Sequence, residues 1–258
     1  VNDNLAYLQV SHRFKTDSGI GRLAKAVNSN DLNALNEVYH SNSADLMFSS
    51  LETDFKGFID RAVEHYSHYI AAIRNGDSIR DIHAAFANYQ VLCATRVGPY
   101  GTNELNMKIE KQLGQQQLIK RTGNFYIGMP IMVSENNYPL NLFNGDIGII
   151  IEDENGRLMA SFIDEQGAER VISTTRLPQF DTVYAMTIHK SQGSEFKHVA
   201  MLLPVNSPVL NRQLVYTGIT RAKESFELVS LAGGLERAMA RTVSRDAGRY
   251  ARFQRSEL

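Results

Sequence analysis

Ala185-Met-Thr-Ile-His-Lys-Ser-Gln-Gly-Ser-Glu-Phe196 is the stretch that decides how this chain folds. An apolar, strand-like run at 183–188 leads into a polar cluster, and Gly193 stands where the chain must turn tightly or approach a ligand closely. In open α/β sheets, ligands bind beyond the carboxyl ends of the strands. The pattern therefore predicts a phosphate or nucleic-acid site built from His189, Lys190, Gln192 and Glu195.

The composition is that of a nearly neutral, cysteine-poor chain. Its 258 residues hold 27 Lys and Arg against 28 Asp and Glu, so any DNA contact must be local rather than a bulk attraction. Cys93 is the single cysteine, and its apolar surroundings indicate a core residue. No apolar run reaches the roughly 18 residues of a membrane span, and no signal peptide opens the chain. We expect a cytoplasmic location and no membrane partner. Because the chain begins with valine rather than methionine, we also expect it to be a piece of a longer polypeptide.

Strands and helices alternate through the first 115 residues. Strands are predicted at 5–10, 45–50 and 91–95, and helices at 20–27, 31–40, 55–73, 78–89 and 103–113. Two of the predicted strands are followed by polar residues, and these include Arg13 and Arg96. This alternation favours an α/β fold with a parallel sheet.

Between 128 and 177 the helical periodicity gives way to short β-rich runs. Strands are predicted at 129–134, 146–152, 158–162 and 169–173, with hairpin turns at Asn155-Gly156 and Gln166-Gly167. A small barrel of about five strands, closed so that its edges are protected, is the economical interpretation. Because the alternation of strand and helix patterns resumes at Asp181, the barrel is expected to be an insertion. Asn144 is predicted to form part of a tight turn. The alternative interpretation is that this exposed turn also contacts DNA.

A second informative segment runs from 211 to 224, after a strand predicted at 199–203. One helical face would hold Leu214, Val215, Gly218, Ile219 and Ala222, and the other Gln213, Thr217, Thr220, Arg221 and Glu224. This division of apolar and polar residues predicts a helix with one buried and one exposed face, followed by a strand at 225–230. Arginines at 237, 241, 245, 249 and 252 indicate a final helix, whose positive stripe is either a solvated face or a DNA or partner contact.

Four cations stand at positions suited to phosphate: Arg13, Arg96, Lys190 and Arg221. A guanidinium fork matches phosphate oxygens, and two arginines at one γ-phosphate would stabilise the charge that develops in phosphoryl transfer. The pattern Gly-x-x-x-x-Gly-Lys-Ser/Thr does not occur in these residues, so they contain no P-loop. The chain as given is predicted to hold half of a nucleotide site and not a complete ATPase.

Several segments resemble motifs of superfamily 1 helicases. The segment 187–196 resembles motif V, 214–222 resembles motif VI and 11–14, Ser-His-Arg-Phe, resembles motif IV. The segment 92–106, with its Thr-Arg-x-Gly-x-x-Gly core, resembles motif IVa, and 143–148, Phe-Asn-Gly-Asp-Ile-Gly, is typical of an inserted SH3-like domain. Together they resemble the carboxyl-terminal half of the RecD family, the alpha subunit of bacterial exodeoxyribonuclease V.

That resemblance implies a RecA-like helicase domain, termed 2A, with helices on both faces of a parallel sheet and an inserted SH3-like β-barrel, termed 2B. The implied division gives the first part of domain 2A as 1–125, the barrel as 126–178 and the second part of domain 2A as 179–258.

The resemblance also implies a role for particular residues. Arg13 and Arg221 would be catalytic, contacting the γ-phosphate. The nucleotide-binding residues would be His12, Gln192, Gly193 and Glu195, with His12 in the place where many relatives have a tyrosine that stacks on adenine. The DNA-binding residues would be Thr95, Arg96, Asn144, Thr187, His189 and Lys190. No resident metal is assigned to this chain, and ATP with Mg²⁺ is expected to be bound mainly by an upstream domain.

The leading hypothesis is the second motor domain of an ATP-dependent 5′-3′ DNA helicase subunit of exodeoxyribonuclease V, acting in double-strand break repair and recombination. The implied partners are single-stranded DNA, RecB- and RecC-like subunits and an upstream RecA-like domain of the same polypeptide, in a bacterial cytoplasm. The isolated chain is predicted to be inactive. Two alternatives remain open: a non-catalytic DNA-binding or partner-docking module, and a stand-alone RecD-like superfamily 1 helicase.

Overall fold

A computed structural model describes residues 18–121, 123–164, 166–204, 207 and 209–241. Within them the α-helices are α1 (Gly19–Ser29), α2 (Leu32–His40), α3 (Phe55–Asn75), α4 (Ile79–Phe86), α5 (Thr102–Gln115), α6 (Arg212–Ile219) and α7 (Gly234–Ala240). The strands are β1 (Leu46–Ser50), β2 (Tyr89–Cys93), β3 (Pro130–Val133), β4 (Ile147–Glu152), β5 (Leu158–Ile163), β6 (Glu169–Ser173), β7 (Phe180–Thr182), β8 (Ala185–Thr187), β9 (Phe196–Leu203) and β10 (Ala222–Ser230). The strand predicted at 5–10 lies outside the described residues.

The first of two sheets is parallel throughout. Its order is β1-β10-β9-β2-β8, and each pair of neighbours runs in the same direction. All five residues of β2 are buried, as are residues 199–203 of β9. Uninterrupted buried runs of this kind are required of strands that are covered on both faces. The predicted α/β class with a parallel sheet is confirmed.

The helices pack in two groups. Helix α1 contacts α2, α6 and β10, whereas α3 contacts α4, α5 and β2. This division is what helices covering both faces of a sheet produce. Helix α3 ends where the sequence predicted, at Gly76, whose φ of 74° is accessible to glycine at little cost. No described helix is long and apolar enough to cross a membrane.

The second sheet is antiparallel, in the order β6-β5-β4-β3-β7. Gly156 and Gly167, both with positive φ, turn the two predicted hairpins. Among the described residues no ladder joins β6 to β7, so the sheet is not closed by hydrogen bonds as the barrel interpretation expected. Strand β7 pairs with β3 and therefore carries this sheet four residues past the predicted boundary at 178.

Helix α6 is shorter than the sequence predicted. It ends at Ile219, and Ala222 already pairs with Phe196 as the start of β10. The helical pattern over 211–224 is broken because the buried positions of β10, which include Phe226 and Leu228, require extended backbone beside β9. Arg221 therefore lies between a helix and a strand and not on an exposed helical face. The final helix likewise ends at Ala240, and the arginines beyond 241 lie outside the described residues.

A buried hydroxyl network joins the second sheet to the first. The Tyr69 hydroxyl donates to the Gly128 carbonyl at 2.7 Å, the hydroxyls of Tyr126 and Tyr184 lie 3.2 Å apart, and Tyr66 donates to the Tyr184 carbonyl. Burial raises the pKa of Tyr66, Tyr69 and Tyr184 well above 10, so their hydroxyls keep their protons and can donate. Tyr184 immediately precedes β8, so this network fixes the strand that delivers the site.

Candidate nucleotide and nucleic-acid site

The parallel sheet distributes the predicted site residues between two opposite edges. Thr187, at the end of β8, is level with Cys93, and Cys93 is level with Leu202 in β9. Phe196 starts β9 six residues before Leu202, which is about 20 Å along a strand. We call the level of Thr187 the carboxyl edge and that of Phe196 the amino edge.

The segment 188–195 crosses from the carboxyl edge to the amino edge. Its first half is a 3₁₀ turn, Ile188–Ser191, and its last residue adjoins the start of β9. The expectation that its polar side chains all stand beyond the carboxyl ends of the strands is therefore wrong for Glu195. Lys190 and His189 stand near the carboxyl edge, and Gln192 and Gly193 lie between the two edges.

Three side chains form what we call the carboxyl-edge cluster: Arg96, Asp181 and Lys190. The Arg96 Nη2 lies 2.7 Å from the Asp181 Oδ1, and the Lys190 Nζ lies 3.3 Å from the Asp181 Oδ2. Arg96 follows β2, Lys190 follows β8, and Asp181 belongs to β7 of the second sheet. Because 60% of the Arg96 side chain and 35% of the Lys190 side chain remain exposed, another anion can reach both cations.

A cavity of about 390 Å³ adjoins this cluster. Asn106 of α5 lines it and is 8% exposed. Its amide nitrogen donates to the carbonyls of Thr182 and Ala185, at 2.9 and 3.1 Å, and its amide oxygen accepts from the Ala185 N–H at 2.7 Å. One buried side chain therefore fixes the connection between β7 and β8, and with it the backbone next to Asp181.

The 3₁₀ turn that carries Lys190 is held by its own side chains. The Thr187 Oγ1 accepts from the Lys190 N–H at 3.4 Å, and the Ser191 hydroxyl donates to the Ile188 carbonyl at 2.7 Å. Ile188 and Ser191 are buried, whereas His189 is exposed. The turn presents its polar residues from a fixed base, which suits a contact with a backbone phosphate.

At the amino edge, Arg221 is buried and 6% exposed. Its guanidinium donates to the Ser194 carbonyl at 3.0 Å and to the Thr217 carbonyl at 3.1 Å. Its own carbonyl accepts from the Phe196 N–H at 2.9 Å. Arg221 thus contacts Ser194 of the segment 188–195 through its side chain and Phe196, which follows that segment, through its backbone.

Glu195 and Lys223 form an ion pair of 2.8 Å beside Arg221. Gln192 and Gly193 are exposed, and the φ of Gly193 is 92°, so the turn at this position favours glycine. The amino edge therefore holds a guanidinium and an ammonium, and the turn that leads to it carries the exposed Gln192 amide. All three are donor groups that suit phosphate oxygens.

Gly218 allows α6 to pack closely against the segment between the two edges. A Cβ atom at this position would collide with the Met201 Sδ and approach the Ile188 side chain to 3.5 Å. Helix α6, the 3₁₀ turn and β9 therefore form one packed unit. A displacement of the turn would be transmitted to α6 and to Arg221 at its end.

The structure brings together some of the predicted site residues and separates others. Arg96, Thr187 and Lys190 line one cavity, and Thr95 directly precedes Arg96. Asn144 is exposed in a turn at Gly145, as predicted, and is not among the residues that line this cavity. His12 and Arg13 lie outside the described residues. The roles assigned to all of these residues stay predictions.

Sequence reasoning missed three residues of the site: Asn106, Asp181 and Lys223. A signal existed for Asn106, because the spacing of the buried residues of α5 places this amide among apolar side chains. Asp181 and Lys223 gave no such signal. Asp181 is 85 residues from Arg96 and belongs to the other sheet, and Lys223 meets Glu195 only because β10 pairs with β9.

Comparison with known proteins identifies relatives over most of the chain. Residues 182–229 match the family model of the UvrD-like helicase C-terminal domain. The RecBCD enzyme subunit RecD of Buchnera aphidicola is 33% identical over 89% of this chain and 39% of its own length. RecD of Haemophilus influenzae is 33% identical over 96% of this chain and 41% of its own length. The chain therefore spans about two fifths of the length of these two RecD relatives.

Among solved structures, a Pif1 helicase from Bacteroides in complex with ADP-AlF3 and single-stranded DNA has a TM-score of 0.41 and 16% identity. The match covers 75% of this chain and 54% of that chain. A likeness at this level supports no argument about function.

Proposed function

Because this chain belongs to the RecD family and corresponds to the carboxyl-terminal half of a RecD helicase, we propose that it is the second motor domain of an ATP-dependent DNA helicase subunit. The complete protein would be the 5′-3′ helicase of a RecBCD-like exodeoxyribonuclease V that acts in double-strand break repair and recombination. Family membership is the support for the proposed direction and for the proposed place in the complex.

The observation that supports this proposal best is the position of Arg221. It is buried at the junction of α6 and β10, with its guanidinium held by two backbone carbonyls. A cation held in this way is preorganised, and preorganised arginines stabilise the charge that develops on a phosphoryl group in transfer. We assign Arg221 and Arg13 to the γ-phosphate, and His12, Gln192, Gly193 and Glu195 to the rest of the nucleotide.

The nucleotide would lie between this domain and an upstream RecA-like domain of the same polypeptide. Among the described residues, the Arg221 guanidinium donates to the Ser194 and Thr217 carbonyls, and the Glu195 carboxylate is paired with Lys223. Mg²⁺, which neutralises charge on the phosphates when it is bound, is assigned mainly to the upstream domain, because a P-loop sequence does not occur in these 258 residues and is expected there.

On the DNA side, Thr95, Arg96, Thr187, His189 and Lys190 would grip the backbone phosphates of a single strand. The segment 188–195 would couple the two ligands, because it leads from Lys190 at one edge to the contact with Arg221 at the other. Closure of the two domains on ATP and reopening after hydrolysis would then change the grip on DNA.

We assign the second sheet to an inserted SH3-like domain 2B, and we move its end from 178 to 182 because β7 pairs with β3. Residues 1–125 and 183–258 would then form domain 2A. RecB- and RecC-like subunits are the proposed partners of the complete protein, and Asn144 in the exposed turn is a proposed DNA contact of the insertion.

The experiment uses the complete polypeptide and measures ATP turnover and single-stranded DNA affinity for Arg221→Ala and Arg221→Lys. Both variants should lose turnover by about 10³-fold while DNA affinity changes little, because lysine lacks the guanidinium fork. Arg157→Ala, which removes an exposed arginine in a hairpin of the second sheet, is the matched control. Retained turnover in a folded Arg221→Ala protein would contradict the assignment.

A second candidate function applies to the chain on its own: a DNA-binding or partner-docking module without turnover. It is favoured by the lack of a P-loop sequence in these 258 residues. ATP turnover of this chain alone, compared with the chain joined to its upstream half, separates the two. Activity of the joined protein without RecB- or RecC-like subunits would favour the third possibility, a stand-alone RecD-like helicase.

A further inference from the structure

Asp181 is the carboxylate that faces both cations of the carboxyl-edge cluster. Its two oxygens are divided between them, with Oδ1 at 2.7 Å from Arg96 and Oδ2 at 3.3 Å from Lys190. The other carboxylate that lines the same cavity, Glu110, lies 2.8 Å from the Arg121 guanidinium. Asp181 thus occupies the position that a backbone phosphate would need in order to contact Arg96 and Lys190 together.

We propose that Asp181 is an intramolecular competitor of nucleic-acid phosphate at the carboxyl-edge cluster, so that the inserted sheet sets how tightly the motor domain holds single-stranded DNA. This inference rests on the proposed function, because it requires that Arg96 and Lys190 bind DNA. A carboxylate and a phosphodiester are both singly charged acceptors with two free oxygens, so each can bind the same pair of donors.

The exchange needs only rotation of side chains. The backbone of Asp181 is held in β7, where it pairs with Met132 of β3, and Asn106 fixes the residues that follow. The Arg96 side chain is 60% exposed and comes from a loop, so it can turn from Asp181 toward a ligand without moving either sheet. Exposed ion pairs are weak and are screened by salt, which allows a phosphate to displace the carboxylate.

A competitor of this kind suits a protein that must release DNA as well as hold it. When the DNA leaves, Asp181 takes back both cations, so they are not left without a counter-charge. When DNA binds, part of the attraction to phosphate is offset by the loss of both ion pairs with Asp181. Removal of the carboxylate should therefore tighten binding to DNA of any sequence.

The test measures binding of an oligo-dT strand to the complete polypeptide at several salt concentrations. Asp181→Asn should lower the Kd about three- to five-fold at low salt. It should also steepen the slope of log K against log salt by about 0.7 for each additional phosphate that the protein neutralises. Asp181→Glu, which keeps the charge, should stay near the parent protein.

Asp153→Asn is the matched control, because it removes an equal charge from the β4–β5 hairpin of the same sheet and breaks an ion pair with Arg157. Asp153→Asn should leave both the Kd and the slope unchanged. If it had the same effect as Asp181→Asn, net charge alone would explain the result and the proposal would be overturned. Asp181→Ser serves for the same measurement if the asparagine variant does not fold.

Two variants separate the failure of this inference from failure of the proposed function. If Arg96→Ala and Lys190→Ala do not weaken binding, the DNA site itself is misplaced. If they weaken binding while Asp181→Asn leaves it unchanged or weakens it too, the site stands and Asp181 supports the cations instead of competing for them.

Discussion

The two edges of the parallel sheet hold their cations in different ways. At the carboxyl edge, Arg96 and Lys190 are partly exposed and share one carboxylate from another sheet. At the amino edge, Arg221 is buried and is held by the backbone carbonyls of Ser194 and Thr217. A carboxylate partner can be exchanged by a side-chain rotation, whereas a backbone carbonyl is fixed by the fold.

This difference corresponds to two kinds of chemistry. Stabilising a transition state requires donors that are already in place, because reorganisation during the reaction reduces their effect. Holding a strand that must slide requires contacts that form and break readily. The amino edge has the properties of the first and the carboxyl edge those of the second.

At the carboxyl edge, the largest change in unfolding free energy is expected from Asn106→Leu. The change removes three hydrogen bonds and leaves the Ala185 N–H and two carbonyls buried without them, which costs about 3 kcal/mol of unfolding free energy. Chemical denaturation of this chain measures it, and Asn103→Leu, at an exposed position of the same helix, should cost less than about 1 kcal/mol. Equal losses would show that Asn106 is not an anchor.

A smaller effect on the unfolding free energy is expected from His83, through which α4 contacts the second sheet. The Ser161 hydroxyl donates to the Ile149 carbonyl, so it must accept from the His83 Nε2–H, which lies 3.1 Å away. Burial lowers the pKa of His83 from 6.5 to about 4. The folded state therefore resists a proton that the unfolded state takes up, and stability is lost as the pH falls from about 6.5 toward 4.

Between pH 7 and pH 5 this loss amounts to about 2 kcal/mol. Unfolding free energies at the two pH values should show it in the parent protein, and His83→Gln should remove most of the difference. If His83→Gln kept the pH dependence of the parent protein, another group would be responsible. The next candidate is the half-buried His65, whose pKa is also lowered.

The smallest effect is expected from Lys223→Ala at the amino edge. Its pair with Glu195 is partly exposed, so its loss should change the unfolding free energy by less than about 1 kcal/mol. ATP turnover of the complete protein should change by less than a factor of about three, because the backbone carbonyls still hold Arg221. A loss as large as that of Arg221→Ala would mean that the ion pair, and not the backbone, positions the arginine.

The sequence predicted the elements better than it predicted their edges. Periodicity located α3 and its stop at Gly76, and apolar runs located β9 and β10, because these signals depend on local burial. It extended α6 through Arg221, because helical spacing cannot reveal that Ala222 must pair with Phe196. Asp181 was missed for a similar reason, since its partners lie on two other elements and only the assembled sheets bring them together.

The central claim is that the buried arginine serves turnover and the exposed cations serve the grip on DNA. The most direct test is the rate of ATP turnover at saturating single-stranded DNA, for Arg221→Ala and for the double variant Arg96→Ala with Lys190→Ala, in the complete polypeptide. We predict a loss of about 10³-fold for the first, and for the second a rate within about three-fold of the parent protein once DNA saturates. Turnover lost equally in both variants at saturating DNA would contradict the account.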